Sequence, residues 1–121
     1  MIVGTGIDII EIERLQKALD RWGEDFLTHI FNEEEIAYVK DKKFPAQHYA
    51  ARFAAKEAVY KAFGDNRTLG WKDMTILNDE NGKPYCRLKN KDLKDKIFIS
   101  ISHTKNYAAA SAIITSSIKR P

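Results

Sequence analysis

Apolar and polar positions alternate along this chain with two different periods. Residues 2–12, Ile-Val-Gly-Thr-Gly-Ile-Asp-Ile-Ile-Glu-Ile, are dominated by β-branched side chains and predict a buried strand. Gly4 and Gly6 within it mark a bulge or a close approach of backbone. From residue 13 to residue 22 the period becomes helical. Leu15, Leu19 and Trp22 line one side, and Arg14, Lys17 and Arg21 line another. A longer helical run starts after Pro45 and ends near Gly64, with Pro in the first turn and Gly just past the last. Tyr49, Phe53, Tyr60 and Phe63 form a stripe on it, and alanines cover most of the rest. A helix apolar on nearly every side predicts burial. Met74–Leu77 and Tyr85–Leu88 read as short strands around the turn signal Asn81-Gly82. In residues 97–102 the isoleucines take one face, and Phe98, Ser100 and Ser102 the other. Residues 103–106 turn the chain, with His103 at the tip, and 107–114 return as a strand of small residues. The prediction is an α+β domain, a small antiparallel sheet packed against helices that include a long central one.

Several polar residues break these patterns. Asp8 stands among isoleucines and glycine, where a strand seldom holds a carboxylate. It either accepts hydrogen bonds from a bulged backbone or ligates a hard metal such as Mg²⁺. The central helix carries Arg52 with Lys56, and Glu57 with Lys61, each pair at i, i+4. Glu57 and Lys61 read plainly as a surface ion pair in the favourable order. Burial favours the other reading, a carboxylate that holds a metal beside an ammonium that meets an anion. Asn32 followed by Glu33, Glu34 and Glu35 predicts a capped helix start, and the glutamates are assigned to helix stability. Lys40, Lys42 and Lys43 precede Pro45 in a loop that either meets a phosphate or is merely solvated.

Composition narrows the setting. The 121 residues suit one domain, 1–121, and the net charge of +3 favours acidic partners without demanding nucleic acid. An extended basic face interleaved with exposed aromatics is missing, which argues against a nucleic-acid module. The single cysteine, Cys86, excludes an internal disulfide and a cysteine-based zinc site, and points to a reduced, cytoplasmic location. No apolar run is long enough to span a bilayer, and no export leader is evident. Neither a G-x-S-x-G hydrolase elbow nor a Gly-rich phosphate loop is present, and His29 and His48 lack metal-ligand spacing.

Taken together, five stretches carry a resemblance. They are Gly6-Ile-Asp8 through Arg14, Phe31 with Glu35, Arg52-Phe-Ala-Ala-Lys-Glu57-Ala-Val-Tyr-Lys61-Ala, Asn81-Gly-Lys-Pro84, and Ser100-Ile-Ser-His103-Thr. In this order and spacing the chain closely resembles the bacterial holo-acyl-carrier-protein synthases of the 4′-phosphopantetheinyl transferase superfamily. The resemblance implies transfer of phosphopantetheine from coenzyme A to a serine of apo acyl carrier protein, in fatty acid biosynthesis, with adenosine 3′,5′-bisphosphate released. It also implies Mg²⁺ and a homotrimer with coenzyme A lying between subunits. By the family pattern Asp8 and Glu57 are metal ligands and Lys61 contacts the phosphate. Lys43, Arg52 and His103 are coenzyme A contacts, with Pro84 beside the adenine. Arg14, Lys17 and Arg21 become the face that docks the acidic carrier protein. Glu57 or a metal-bound water takes the serine proton. One departure stands out. Where the family has a Gly-Thr-Gly-Ile-type loop, this chain reads Gly64-Asp65-Asn66-Arg67-Thr68, and Phe44 and Pro45 replace a more basic stretch. An alternative of another class is a non-catalytic adaptor that binds an acidic helical partner through the same basic stripe.

Overall fold

In a computed structural model the described residues are 1–64, 69–89 and 96–116. The altered stretch after Gly64 falls at 65–68, outside the described residues. Strand β1 spans Ile2–Glu11 and runs straight into helix α1, Ile12–Trp22. Two short helices follow, α2 at Glu24–Ile30 and α3 at Glu33–Val39, and then the long helix α4 at Pro45–Phe63. A single 3₁₀ turn, Trp71–Asp73, leads into β2, Met74–Asn78, and β3, Pro84–Leu88. The last strands are β4, Lys96–His103, and β5, Tyr107–Thr115.

The strands form two antiparallel sheets rather than one. β5 sits between β1 and β4 in a three-stranded sheet, and among the described residues β2 pairs only with β3. Gly82, at φ 83°, supplies the left-handed residue of the β2–β3 turn. Asp79 steadies that turn, its carboxylate accepting from the amides of Asn81 at 2.8 Å and Lys83 at 2.9 Å.

Helix α4 is the core's centre. Ala54, Ala55, Ala58, Val59 and Ala62 pack on Ile99, Ala110, Ala112 and Ile114 of the large sheet and on Met74 and Ile76 of the small one. Its first half packs with Leu15, Ile30 and Val39 from the three shorter helices and with Phe31 from the link between α2 and α3. Small alanines on both layers let helix and sheet approach closely. Tyr60 departs from the expected stripe and is exposed.

Candidate active site

The position of β1 on α4 follows from what two glycines lack. A Cβ on Gly4 would lie 1.9 Å from the Ala62 carbonyl oxygen, and one on Gly6 would lie 2.0 Å from that of Ala58. Helix backbone therefore rests on strand backbone, the close approach that the glycines predicted. Pairing with β5 also shifts register between Ile2 and Gly4, so the strand carries the irregularity as well. Alternate residues of a strand share a face. Asp8, two beyond Gly6, therefore faces α4, with its side chain 15% exposed.

At that place the Lys61 ammonium donates to Asp8 Oδ1 and to the Ile7 carbonyl oxygen, both at 3.1 Å. Glu57 stands one turn earlier on α4. The two carboxylates line one cleft of about 280 Å³. Arg14, Leu15 and Ala18 of α1 also line it, with Phe26 of α2 and Phe53 of α4. Burial, and then the charge of Asp8, push the Glu57 carboxyl above the ordinary carboxylate range, while Lys61 opposes them. Two like charges in a half-buried cleft favour a cation between them. Among the described residues, no group of three or more His, Cys, Asp or Glu side chains gathers as a metal cage. Two carboxylates match the donor count of Mg²⁺ when waters and substrate phosphates complete its shell. The residues present fit that ion.

The expected coenzyme A contacts lie elsewhere. None of Lys43, Arg52, Pro84 and His103 lines the carboxylate cleft. Arg52 is buried, donating to Asn78 Oδ1 at 2.7 Å, with its guanidinium 4.3 Å from the centre of the Tyr38 ring. Pro84 pairs with Asn78 across the small sheet, so Arg52 and Pro84 meet through one residue. His103 is the exposed last residue of β4, paired with Ala108, rather than the tip of the turn that sequence placed there. Lys43 is exposed beside Phe44, in the loop before α4. Burial first, then the charges of Arg52, Lys42 and His103, hold the His48 imidazole below its usual range. The surroundings of Arg52 and His103 are thus cationic, suited to an anion.

A family profile for the 4′-phosphopantetheinyl transferase superfamily matches residues 4–112. The chain belongs to this superfamily. Curated relatives within the superfamily include a holo-[acyl-carrier-protein] synthase of Protochlamydia amoebophila. It is 47% identical over 122 residues, covering 96% of this chain and all of the relative. One of the same name from Thermodesulfovibrio yellowstonii is 45% identical over 115 residues, covering 95% of this chain and all of the relative. Among solved structures, a holo-(acyl-carrier-protein) synthase of Bacillus anthracis in complex with CoA (3′,5′-ADP) matches with a TM-score of 0.86 and 38% identity. The match covers 97% of this chain and 99% of that one. A Helicobacter pylori holo-[acyl-carrier-protein] synthase in complex with coenzyme A matches with a TM-score of 0.82 and 29% identity, covering 92% and 99%.

Within this superfamily member, the basic stripe of α1 is solvent-facing as expected. Lys17 reaches Glu13 at 3.5 Å, both largely exposed, a pair that contributes little. Arg21 lies 4.7 Å over the ring of Trp22. Trp22 itself is exposed, so the buried side of α1 is carried by Leu15 and the half-buried Leu19. Lys61 pairs with Asp8 rather than forming the expected i, i+4 bridge to Glu57, and its side chain is half exposed.

Sequence reading missed the deepest ion pair. Lys56 is fully buried, and its ammonium donates to Glu35 Oε1 at 2.8 Å, to the Ile30 carbonyl at 2.7 Å and to the Trp71 carbonyl at 3.0 Å. Glu35 also accepts from the amides of Asn32 at 2.9 Å and Ile76 at 3.0 Å. Glu35 completes the expected helix cap, and the same carboxylate ties α3 to α4 and β2. The available signal was Lys56 in an otherwise alanine-rich helix, which demands an acidic partner somewhere in the chain.

Proposed function

We propose that this chain transfers the 4′-phosphopantetheine group from coenzyme A to a serine hydroxyl of apo acyl carrier protein. The products are holo acyl carrier protein and adenosine 3′,5′-bisphosphate. The reaction depends on Mg²⁺, serves fatty acid biosynthesis and takes place in the cytoplasm. The relatives' names and their coenzyme A complexes support the reaction. The observation that carries it in this chain is the meeting of Asp8 and Glu57 in a cleft that the basic helix α1 also lines.

The chemistry requires alignment and charge neutralisation more than covalent help. The serine oxygen attacks the phosphorus that bears pantetheine and gives its proton to Glu57 or to a water, while the bond from that phosphorus to the bridging oxygen breaks and adenosine 3′,5′-bisphosphate leaves with that oxygen. Asp8 and Glu57 would hold Mg²⁺, which when bound would polarise that phosphorus and offset pyrophosphate charge. The Lys61 ammonium, already beside Asp8, neutralises charge growing on the leaving phosphate. Lys43, Arg52 and His103 supply cationic contacts for coenzyme A, and Pro84 flanks the adenine. Arg14, Lys17 and Arg21 attract the acidic carrier protein and set its approach. A binding-only adaptor would have no use for the carboxylate pair, so that alternative is set aside.

We propose further that the chain acts as one domain and assembles as a homotrimer. The outward face of the large sheet supports this. Ile7 is 71% exposed, Ile9 66% and Phe98 51%; on the β5 strand between β1 and β4, Ser111 and Ala109 pair with Ile7 and Ile9, and the exposed Ile113 pairs with Phe98. An exposed apolar face of this kind marks an interface. It also agrees with the separation of the carboxylate cleft from the coenzyme A contacts, because a neighbouring copy can bring the missing half.

The test is mass spectrometry of apo acyl carrier protein incubated with the chain, coenzyme A and Mg²⁺. The expected result is the mass gain of one phosphopantetheine group, lost on chelation and lost in Asp8→Ala and Glu57→Ala. No gain with folded protein rejects the assignment.

A further inference from the structure

Phe53 is the aromatic wall of the carboxylate cleft contributed by α4. Its ring is stacked on Trp71, with centroids 5.0 Å apart and planes 25° from parallel. Trp71 begins the 3₁₀ turn and is half-buried, outside the cleft that Phe53 lines. That short turn is fastened unusually well for a connection. The Trp71 carbonyl accepts from the buried Lys56 ammonium at 3.0 Å. The Lys72 carbonyl accepts from Asn32 Nδ2 at 3.2 Å, and the Lys72 ammonium donates to the Thr28 carbonyl at 2.8 Å. Asp73 Oδ2 accepts from the Gly70 amide at 2.8 Å. Helices α2, α3 and α4 thus all hold the segment from which the Trp71 ring projects.

A half-buried phenylalanine on a helix can change rotamer unless something packs on its open side. Here the indole is that packing. We propose that Trp71 is a positioning residue: it clamps the Phe53 ring as a fixed wall along which the carrier protein's serine-bearing segment reaches Asp8 and Glu57. The inference rests on the transferase reading above. It assigns Trp71 an effect chiefly on the protein substrate, because the docking helix lines the same cleft as Phe53 through Arg14, Leu15 and Ala18, whereas Lys43, Arg52, Pro84 and His103 do not enter it. Ordering the wall in advance removes part of the entropy that docking would otherwise lose.

The experiment is steady-state kinetics of the full chain with apo acyl carrier protein and coenzyme A, for Trp71→Ala, Trp71→Leu and Trp71→Phe. Trp71→Ala and Trp71→Leu are expected to raise KM for the carrier protein about five-fold. KM for coenzyme A should stay unchanged, and Trp71→Phe, which keeps a stackable ring, should restore the wild-type value. A general loss of packing would instead lower the folded fraction, and so the apparent kcat, without splitting the two KM values. If Trp71→Ala does not fold, Phe53→Leu with Trp71 intact gives the same readout. An unchanged carrier-protein KM in the folded variants, or equal rises in both KM values, overturns the inference. Wild-type chain that transfers nothing would instead reject the functional reading itself, so the two failures are distinguishable.

Discussion

The Ala58 carbonyl oxygen of α4 lies where a side chain on Gly6 of β1 would begin, 2.0 Å from the position of its Cβ. This contact, repeated at Gly4 and Ala62, fixes the height of the helix over the strand. Through it Asp8 is brought to the same cleft as Glu57.

Gly6→Ala should therefore do more than fill space. The obstructing atom is backbone, which cannot rotate away, so strand and helix must separate. Overpacking of this kind costs about 1–3 kcal/mol. Urea denaturation is expected to show a loss at the upper end of that range. Calorimetric titration with Mg²⁺ and coenzyme A should show weakened binding in the molecules that still fold. Wild-type stability together with wild-type titration would mean the contact does not set the cleft.

The Lys56–Glu35 pair makes a different prediction. Removing one member strands a charge in the core, at a cost of about 3–5 kcal/mol. Lys56→Met and Glu35→Leu should each destabilise by that amount in chemical denaturation. The double variant should recover a large part of it, because neither charge remains. Additive losses in the double variant would show that the two side chains are not coupled.

Cys86 gives a pH dependence with a definite sign. Burial pushes its thiol up to about 12, with the Lys56 ammonium pulling the other way. In the unfolded chain the thiol ionises near its ordinary value of 9.0. Between those values the folded chain keeps a proton that the unfolded chain has lost. The stability Cys86 contributes is full below the lower value and is lost as pH rises through this window. Iodoacetamide at pH 8 should modify native protein far more slowly than protein in denaturant, followed by mass spectrometry. Equal rates would place the thiol at the surface.

The outward face of the large sheet predicts assembly. Ile7→Asp or Ile9→Lys puts a charge where copies would meet, and charges left unpaired in an interface cost several kcal/mol. Light scattering is expected to show monomers, with circular dichroism unchanged because both side chains point away from the core. A wild-type mass in both variants would remove this face as the interface.

The parts of this fold that announce themselves in the sequence depend on local pattern. Helix α4 runs from Pro45 to Phe63, as its proline, glycine and alanines indicated. The β4 alternation is met residue by residue, with Ile99 buried and Phe98 and Ser100 exposed. Asp8 stood out because its neighbours are apolar, and it does lie in the candidate site. What pattern could not convey is pairing over distance. Glu35 reads as one more glutamate at a helix start, and only tertiary structure brings Lys56, twenty-one positions later, to it. Helix α2 is seven residues long, too short to declare a period. The division of the strands into two sheets also depends on which edges meet, and no single segment records that. Trp22 illustrates the opposite error. Its spacing put it with Leu15, but the helix ends there and leaves it in solvent.

Asp8 and Glu57 share a cleft that Lys43, Arg52, Pro84 and His103 do not enter. Where neighbouring copies complete one another's sites, an isolated chain is inert, and output depends on gene dosage more steeply than in proportion. Halving the amount of such a protein near its assembly threshold would remove more than half of its turnover. If the proposed assembly through this face holds, a short peptide that occupied the Ile7–Ile9 strip would silence the protein without resembling either substrate.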